Sequence, residues 1–367
     1  MKLNINFDGR IPVKINGDIK YQIDLISVLK KKIILNFGYN GYLYKLSSII
    51  RNTSSIIIKI PFIKKFFSEK LNILIRQKRY NFKNNSEILF SHYHFPFSFK
   101  KKNQKIIWST QGIMCKNYYK NYKNVFSIND DIYLYKKIDN LNNSIFCIWD
   151  KKFAKRTKKL CNLKSPIKII APTLGNAEPK NLKKKINVKK KIQLLFIGKD
   201  ARIKGLYSLL YAIKKLNKEK NNFHLKVVTQ NYLNLKIKNV SIFNNINDNK
   251  KKKLLEQCDI FILPTVAETF GYSLMEAIAY KCAILTSNYY PLNNLCINNF
   301  NGFLIKNKDS KDLYSKLKKL LNNKKKIALF KKNSLKVYNQ NYSKKNFFKK
   351  FNKMLIEIEK KDIKSDI

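Results

Sequence analysis

The chain has 367 residues, 44% of them hydrophobic, which is enough for two ordinary domains with real cores. Its 76 Lys and Arg against 23 Asp and Glu give a formal net charge of +53, a balance that ordinarily points to nucleic acid or an anionic membrane. The basic residues are nearly all Lys, and Asn and Ile are inflated with them. These residues share A/T-rich codons, so the charge reads mainly as codon bias, and it excludes little by itself.

In chain order, Val13-Lys14-Ile15, Asn16-Gly17 and Ile19 suggest a hairpin, because Asn-Gly favours a type I′ turn. Apolar runs at 33–37, 56–60, 87–91, 106–109 and 145–149 are candidate strands of a first sheet. His92 and His94 end one of these runs. An H-x-H pair can ligate a metal, but no carboxylate or Cys cluster accompanies it, so a structural or ligand-orienting role is favoured. The stretch from Pro179 to Lys191 is polar and basic without helical apolar spacing, and is read as an interdomain linker. Beyond it, strands expected near 193–197, 224–229, 240–243, 259–263 and 283–286 alternate with helices expected near 205–217, 249–257, 272–281 and 310–322. That alternation predicts a Rossmann-like parallel sheet.

The most informative segment is Ile260 to Asn288. Ile260-Phe261-Ile262-Leu263 is a short apolar run that stops at Pro264, as a strand buried on both faces should. Leu274, Met275, Ile278 and Ala279 follow at helical spacing, and Ala283-Ile284-Leu285 resumes a strand. The unit places Glu268 and Glu276 eight positions apart around a Gly271 turn, at the carboxyl end of a parallel sheet, where open α/β sheets bind ligands. The helix mouth offers backbone N–H groups to an anion, and Glu276 lies about one turn, ~6 Å, further in. As capping or surface acids the two Glu would need no ligand. Set around a phosphate cradle, they suit a nucleotide-sugar site.

The segment resembles the E-x7-E signature of the family 4 glycosyltransferases, retaining enzymes of the two-domain GT-B fold. LLFIGKDARIKGLYSLL upstream is similar to that family's strand, G-[RK]-x4-K-G loop and helix, with Gly198 and Lys199 leading to Lys204 and Gly205. NNFNGFLI around Gly302 and the tail from Asn341 complete a resemblance over roughly residues 190 to 360. Only ten Gly occur in the chain, and Gly198, Gly205, Gly271 and Gly302 fall in these motifs, as expected where backbone must turn or approach a ligand.

The resemblance implies an α/β protein of the GT-B type, two Rossmann-like domains facing each other across a cleft. It puts an acceptor-side domain, shortened or divergent, at 1–182, a nucleotide-sugar domain at 183–345 and a terminal helix crossing back at 346–367. It assigns Glu276 to the ribose hydroxyls and Glu268 to the donor sugar. Lys199 and Lys204 take the diphosphate. Lys stands at 199 where the family usually has Arg, which loses the bidentate fork, and Arg202 in the same loop is a candidate to restore it. Gly198 and the backbone of Phe270, Gly271, Tyr272, Ser273 and Leu274 would complete the donor site, with Tyr272 either closing over the sugar or packing. The catalytic set is then Glu268, Lys204, Lys199 and Arg202, with no metal and no cofactor.

Two features depart from the family. No Gly-rich loop follows the first expected strand, and Gln111, after Trp108-Ser109-Thr110, stands where relatives often carry a His. No D-x-D motif appears in a metal-binding context. Two carboxylates also suit a glycosidase, but the basic loop argues against it. The expected partners are a nucleotide sugar, a glycan or lipid-linked acceptor and the anionic inner membrane surface, with no specific nucleic acid. No window approaches the ~18–20 apolar residues of a membrane span, and the start lacks a secretory apolar run, so a cytoplasmic, peripheral protein is expected. Six Cys with no C-x-x-C pair read as small buried hydrophobes. The alternatives are a non-catalytic basic protein binding nucleic acid or an anionic surface, for which Lys and aromatics are too evenly spread, and a degenerate GT-B relative that binds donor without transfer.

Overall fold

A computed structural model of the chain describes residues 4–8, 34–37, 88–92, 105–121, 127–141, 143–179, 191–219, 222–231 and 236–367. The Asn16-Gly17 hairpin, the apolar run at 56–60, His94 and the basic stretch at 180–190 lie outside these residues. The chain divides into two compact units. The first comprises 1–113, 127–176 and 348–367, and the second 114–126 and 177–347.

The first unit holds six parallel strands: β1 (Asn4–Asp8), β2 (Ile34–Phe37), β3 (Ile88–His92), β4 (Lys105–Thr110), β5 (Ser144–Ile148) and β6 (Ile167–Ile169), in spatial order β2-β1-β3-β4-β5-β6. Residues 106–110 and all of β5 are buried, so these central strands show no outward-facing polar alternation and carry polar residues only at their ends. Helix α1 (Lys116–Asn121), which follows β4 in the chain, belongs to the second unit, and α2 (Ile128–Asp139) and α3 (Lys151–Cys161) belong to the first. Asp150 caps α3 by accepting from the Lys152 and Phe153 N–H groups, and Asn162 ends it in the left-handed region at φ 51°. On the core side Trp108 meets Tyr135 edge-on at 4.7 Å, and the Tyr135 hydroxyl shares a 2.8 Å hydrogen bond with Thr110.

The second unit holds β7 (Ile192–Ile197), β8 (Phe223–Thr229), β9 (Val240–Asn244), β10 (Ile260–Leu263), β11 (Ala283–Ser287) and β12 (Gly302–Ile305), all parallel, in the order β12-β11-β10-β7-β8-β9. Counted from β7, this is the 3-2-1-4-5-6 order of a dinucleotide-binding sheet, with its switch point between β7 and β10. Its helices are α4 (Leu206–Leu216), α5 (Asp248–Gln257), α6 (Tyr272–Ala279), α7 (Ser310–Leu321) and α8 (Lys324–Asn341). The fully buried Phe196, Phe223, Phe261 and Phe330 fill its core.

The last helix, α9 (Lys344–Glu359), continues into the first unit's core. There Phe351 meets Phe90 at 6.2 Å, the Cys147 thiol donates to the Met354 sulfur, and the Lys105 ammonium donates to the Ile358 carbonyl. Lys168, buried on β6, pairs with Glu357, and the Asp366 N–H donates 2.8 Å to the Ile167 carbonyl, covering part of that edge strand. All six cysteines are free, five buried and Cys115 half-buried. Burial pushes the Cys161 thiol up to about 12, which leaves it a small hydrophobe at neutral pH.

Candidate functional site

The two sequence motifs flank the switch point of the second unit. Phe261 on β10 pairs with Leu195 on β7, so the loop after Ile197 and the loop after Leu263 leave neighbouring strands at the same end. Each loop is shaped locally before it meets the other. Asp200 turns the first by accepting from the Ile203 N–H at 2.8 Å, and Asn231 holds the Ala201 N–H at 2.8 Å. The Thr229 hydroxyl and the Gln230 N–H both donate to the Lys199 carbonyl, which fixes Lys199 by its backbone while its side chain is exposed.

The loops are then tied together. Thr265, fully buried, donates to the Ile203 carbonyl at 3.0 Å, and the Val266 N–H reaches the same oxygen at 2.9 Å. Gly205 makes this approach possible: it sits at φ 76°, and an added Cβ would lie 1.9 Å from the Pro264 carbonyl oxygen. Gly198 is needed for a different reason, since a Cβ there would lie 2.7 Å from Cβ of Lys204. The glycine clears a channel for that lysine.

The result is direct contact between the motifs. Lys204 Nζ donates to Glu268 Oε2 at 2.7 Å, across 64 positions of sequence, with the two side chains 18% and 13% exposed. The other Glu268 oxygen accepts from the Thr269 N–H at 3.0 Å. Arg202 is exposed on the same loop. Gly271 begins α6 at φ 91° and packs so closely that a Cβ would meet Leu292 at 2.7 Å. The first intrahelical bond runs from the Met275 N–H to the Gly271 carbonyl, so Tyr272, Ser273 and Leu274 supply the first-turn N–H groups of the helix. Phe270 is buried edge-on against Tyr342 at 5.8 Å, while Tyr272 and Ser273 are half-buried at the helix mouth.

Glu276 is only 6% exposed and has its own cation: Lys251 Nζ donates to Oε1 at 2.9 Å. Sequence reasoning passed over both Lys251 and the loop-pinning Thr265. Lys251 sits in the run Lys250–Lys253 and looks like any solvated lysine. Its only signal is phase, because Leu254 and Leu255, three and four positions on, are the buried face of α5.

In the first unit, β3 ends at His92, and Gln111 is buried directly after β4. The His92 side chain lies outside the described residues. Among those residues, no group of three or more His, Cys, Asp and Glu could hold a metal ion, and no helix is long and apolar enough to cross a membrane.

Residues 178–337 match the family model of the glycosyl transferases group 1. Over 178 residues the chain is 30% identical to a Campylobacter jejuni enzyme, N,N′-diacetylbacillosaminyl-diphospho-undecaprenol alpha-1,3-N-acetylgalactosaminyltransferase, covering 46% of this chain and 47% of that one. The chain thus spans about half the length of this curated relative. Among solved structures it is similar to sucrose-phosphate synthase from Thermosynechococcus elongatus, with TM-score 0.63, 11% identity and coverage of 97% and 99%. It is also similar to Anabaena HepE in complex with UDP and glucose, with TM-score 0.61, 12% identity and coverage of 97% and 100%. At such identities the likeness shows the fold. The chain is an α/β protein of the GT-B fold.

Proposed function

We propose that this chain is a retaining glycosyltransferase that moves a sugar from a nucleoside-diphosphate donor to a glycan or lipid-linked acceptor in surface-polysaccharide synthesis. The observation that carries the reading is the Lys204–Glu268 contact at the switch point, which joins the basic loop, the first carboxylate and the mouth of α6. The family match over 178–337 and the Campylobacter relative, named for a transfer to an undecaprenol-linked acceptor, support the same class.

In this reading the diphosphate lies between Lys199, Arg202, Lys204 and the first-turn N–H groups of Tyr272 to Leu274. Those cations and dipoles neutralise the charge that grows as the anomeric carbon–oxygen bond breaks, a role other transferases give to a metal. The acceptor oxygen bonds to the anomeric carbon on the face the phosphate leaves, and its proton passes to the departing phosphate oxygen. Glu268 accepts from the sugar's hydroxyls and holds Lys204 in place. Glu276 accepts from the ribose.

Thermal stabilisation by UDP, GDP, ADP and several nucleotide sugars tests this, in about 0.3 M salt to screen loose anion binding, with pyrophosphate as the charge control. One nucleotide class should stabilise beyond pyrophosphate, and the excess should vanish in Glu276→Ala. Equal shifts from every anion, unchanged in the variant, would refute the donor site and leave a basic anion binder.

A further inference from the structure

In the run Lys250–Lys253, only Lys251 turns inward, to half-burial; its three neighbours are exposed. Helix phase is the cause. Residue 251 lies one turn before Leu254 and Leu255, the buried residues of α5, so its side chain follows the face that packs inward. It ends on Glu276, 25 positions later and on another helix, at 2.9 Å from Oε1. Asp248, on the preceding turn, lies 3.6 Å from the same ammonium but is itself largely exposed. Of the two acids, Glu276 is therefore the one whose surroundings Lys251 determines.

Glu276 is 6% exposed, and a carboxylate buried to that degree needs a hydrogen-bonding partner beside it. It also has to face a fixed way if it is to meet a diol. A carboxylate has about four acceptor positions, so one ammonium on Oε1 and the hydroxyls of a ribose are compatible on the same group. We infer that Lys251 is a positioning residue for nucleoside recognition: it holds Glu276 by Oε1 and turned toward the ribose hydroxyls, and it does not itself bind the diphosphate. The inference rests on the donor-site reading above and adds a residue to it from outside both motifs.

The test measures dissociation constants by calorimetry for UDP, GDP and ADP, for their 2′-deoxy counterparts and for pyrophosphate, on wild type, Lys251→Met and Lys251→Arg. Wild type should prefer one ribonucleotide over its 2′-deoxy form by about tenfold or more, the worth of a hydroxyl bonded to a charged acceptor. Lys251→Met should compress that ratio to within about threefold while pyrophosphate binding holds within about twofold, and Lys251→Arg should restore most of the ratio. If Lys251→Met does not fold, Lys251→Gln is measured in its place with the same expectations.

A ribose preference unchanged in the variant would overturn the inference and leave Lys251 as a tie between two helices. A parallel loss of pyrophosphate binding would overturn it in favour of a phosphate contact. Failure of the wild type to bind any of the three nucleotides beyond pyrophosphate would instead overturn the donor-site reading itself.

Discussion

Replacing Gly205 by Ala separates backbone geometry from charge at the candidate site. The residue sits at φ 76° and ψ 23°, a left-handed conformation that costs a residue with a Cβ about 1–2 kcal/mol. The added carbon would lie 1.9 Å from the Pro264 carbonyl oxygen and 2.7 Å from its carbon. A separation of 3.0 Å requires one loop to retreat by about 1.1 Å. That retreat pulls on the Thr265 and Val266 bonds to the Ile203 carbonyl, at 3.0 and 2.9 Å. Overpacking of this kind typically costs about 1–3 kcal/mol, and reduced freedom of the unfolded chain returns about 0.4–1 kcal/mol. The net expectation is a loss of about 1–5 kcal/mol from the second unit.

Gly198→Ala is the matched control. Gly198 lies outside the left-handed region, and its Cβ would strike Lys204 at 2.7 and 2.8 Å and the Phe196 ring at 2.9 Å, so the strain falls on side chains, Lys204 first, without a φ penalty. It should cost less stability than Gly205→Ala yet weaken nucleotide binding as much as a Lys204 substitution does. Urea denaturation followed by circular dichroism gives the stability order, and calorimetry gives the binding. Equal midpoints for Gly205→Ala and wild type would refute the close-approach argument. Unchanged nucleotide affinity in Gly198→Ala would refute the channel for Lys204.

Two further outcomes follow from the first unit. Burial alone would raise the Glu357 carboxyl, but the hydrogen bond and charge of Lys168 outweigh it and hold it below the ordinary range. A depressed carboxyl contributes stability above its unfolded value and loses it as pH falls toward the folded one, so the unit should weaken below about pH 4.5. Glu357→Gln should flatten that fall in an acid titration of stability, and an unchanged slope would refute the linkage. Helix α3 presents exposed Lys151, Lys152, Lys155, Lys158 and Lys159, and a protein acting on lipid-linked acceptors would meet an anionic surface. At about 1 kcal/mol per well-placed Lys, Lys155→Glu with Lys159→Glu should lower binding to phosphatidylglycerol vesicles by more than about twentyfold. Equal binding of wild type to neutral and anionic vesicles would end that idea.

Five of the six strands in the second unit's sheet were legible because their sequences had little else to be; β12, only four residues long, was not among the expected strands. Ile260–Leu263 and Ala283–Ser287 are buried along their whole length, and an apolar run bounded by Pro264 or by polar residues reads as a strand with almost no ambiguity. The helix after Gly271 was equally clear from Leu274, Met275, Ile278 and Ala279. In the first unit, α3 was missed because its buried stripe is Phe153, Ala154, Thr157 and Cys161, three of them small or polar, inside a lysine-rich segment. Strand β6 is three residues long and carries a buried lysine, a pattern set by its pairing with Glu357 and by nothing local. Lys251 was invisible for the converse reason: its identity is common and only its phase is informative.

The charge surplus, which obscures function in the sequence, makes the paired lysines easier to interpret in the structure. With 76 basic residues and 23 acidic ones, most lysines have no acid to meet, so an average lysine of this chain is a solvated charge. Codon drift adds such residues wherever the surface tolerates them. It does not bury a carboxylate, since an uncompensated buried charge costs about 3–5 kcal/mol when its partner is removed. Glu268 and Glu276 are both mostly buried, and each is reached by a lysine from a different element, Lys204 from the loop before α4 and Lys251 from α5. Those two pairs are therefore products of the fold. The distinction has an experimental consequence: raising salt should strip the loose anion binding of the solvated lysines, while the two buried pairs are screened far less. Nucleotide recognition that persists at high salt belongs to the second unit's switch point, and recognition that fades with salt belongs to the surface.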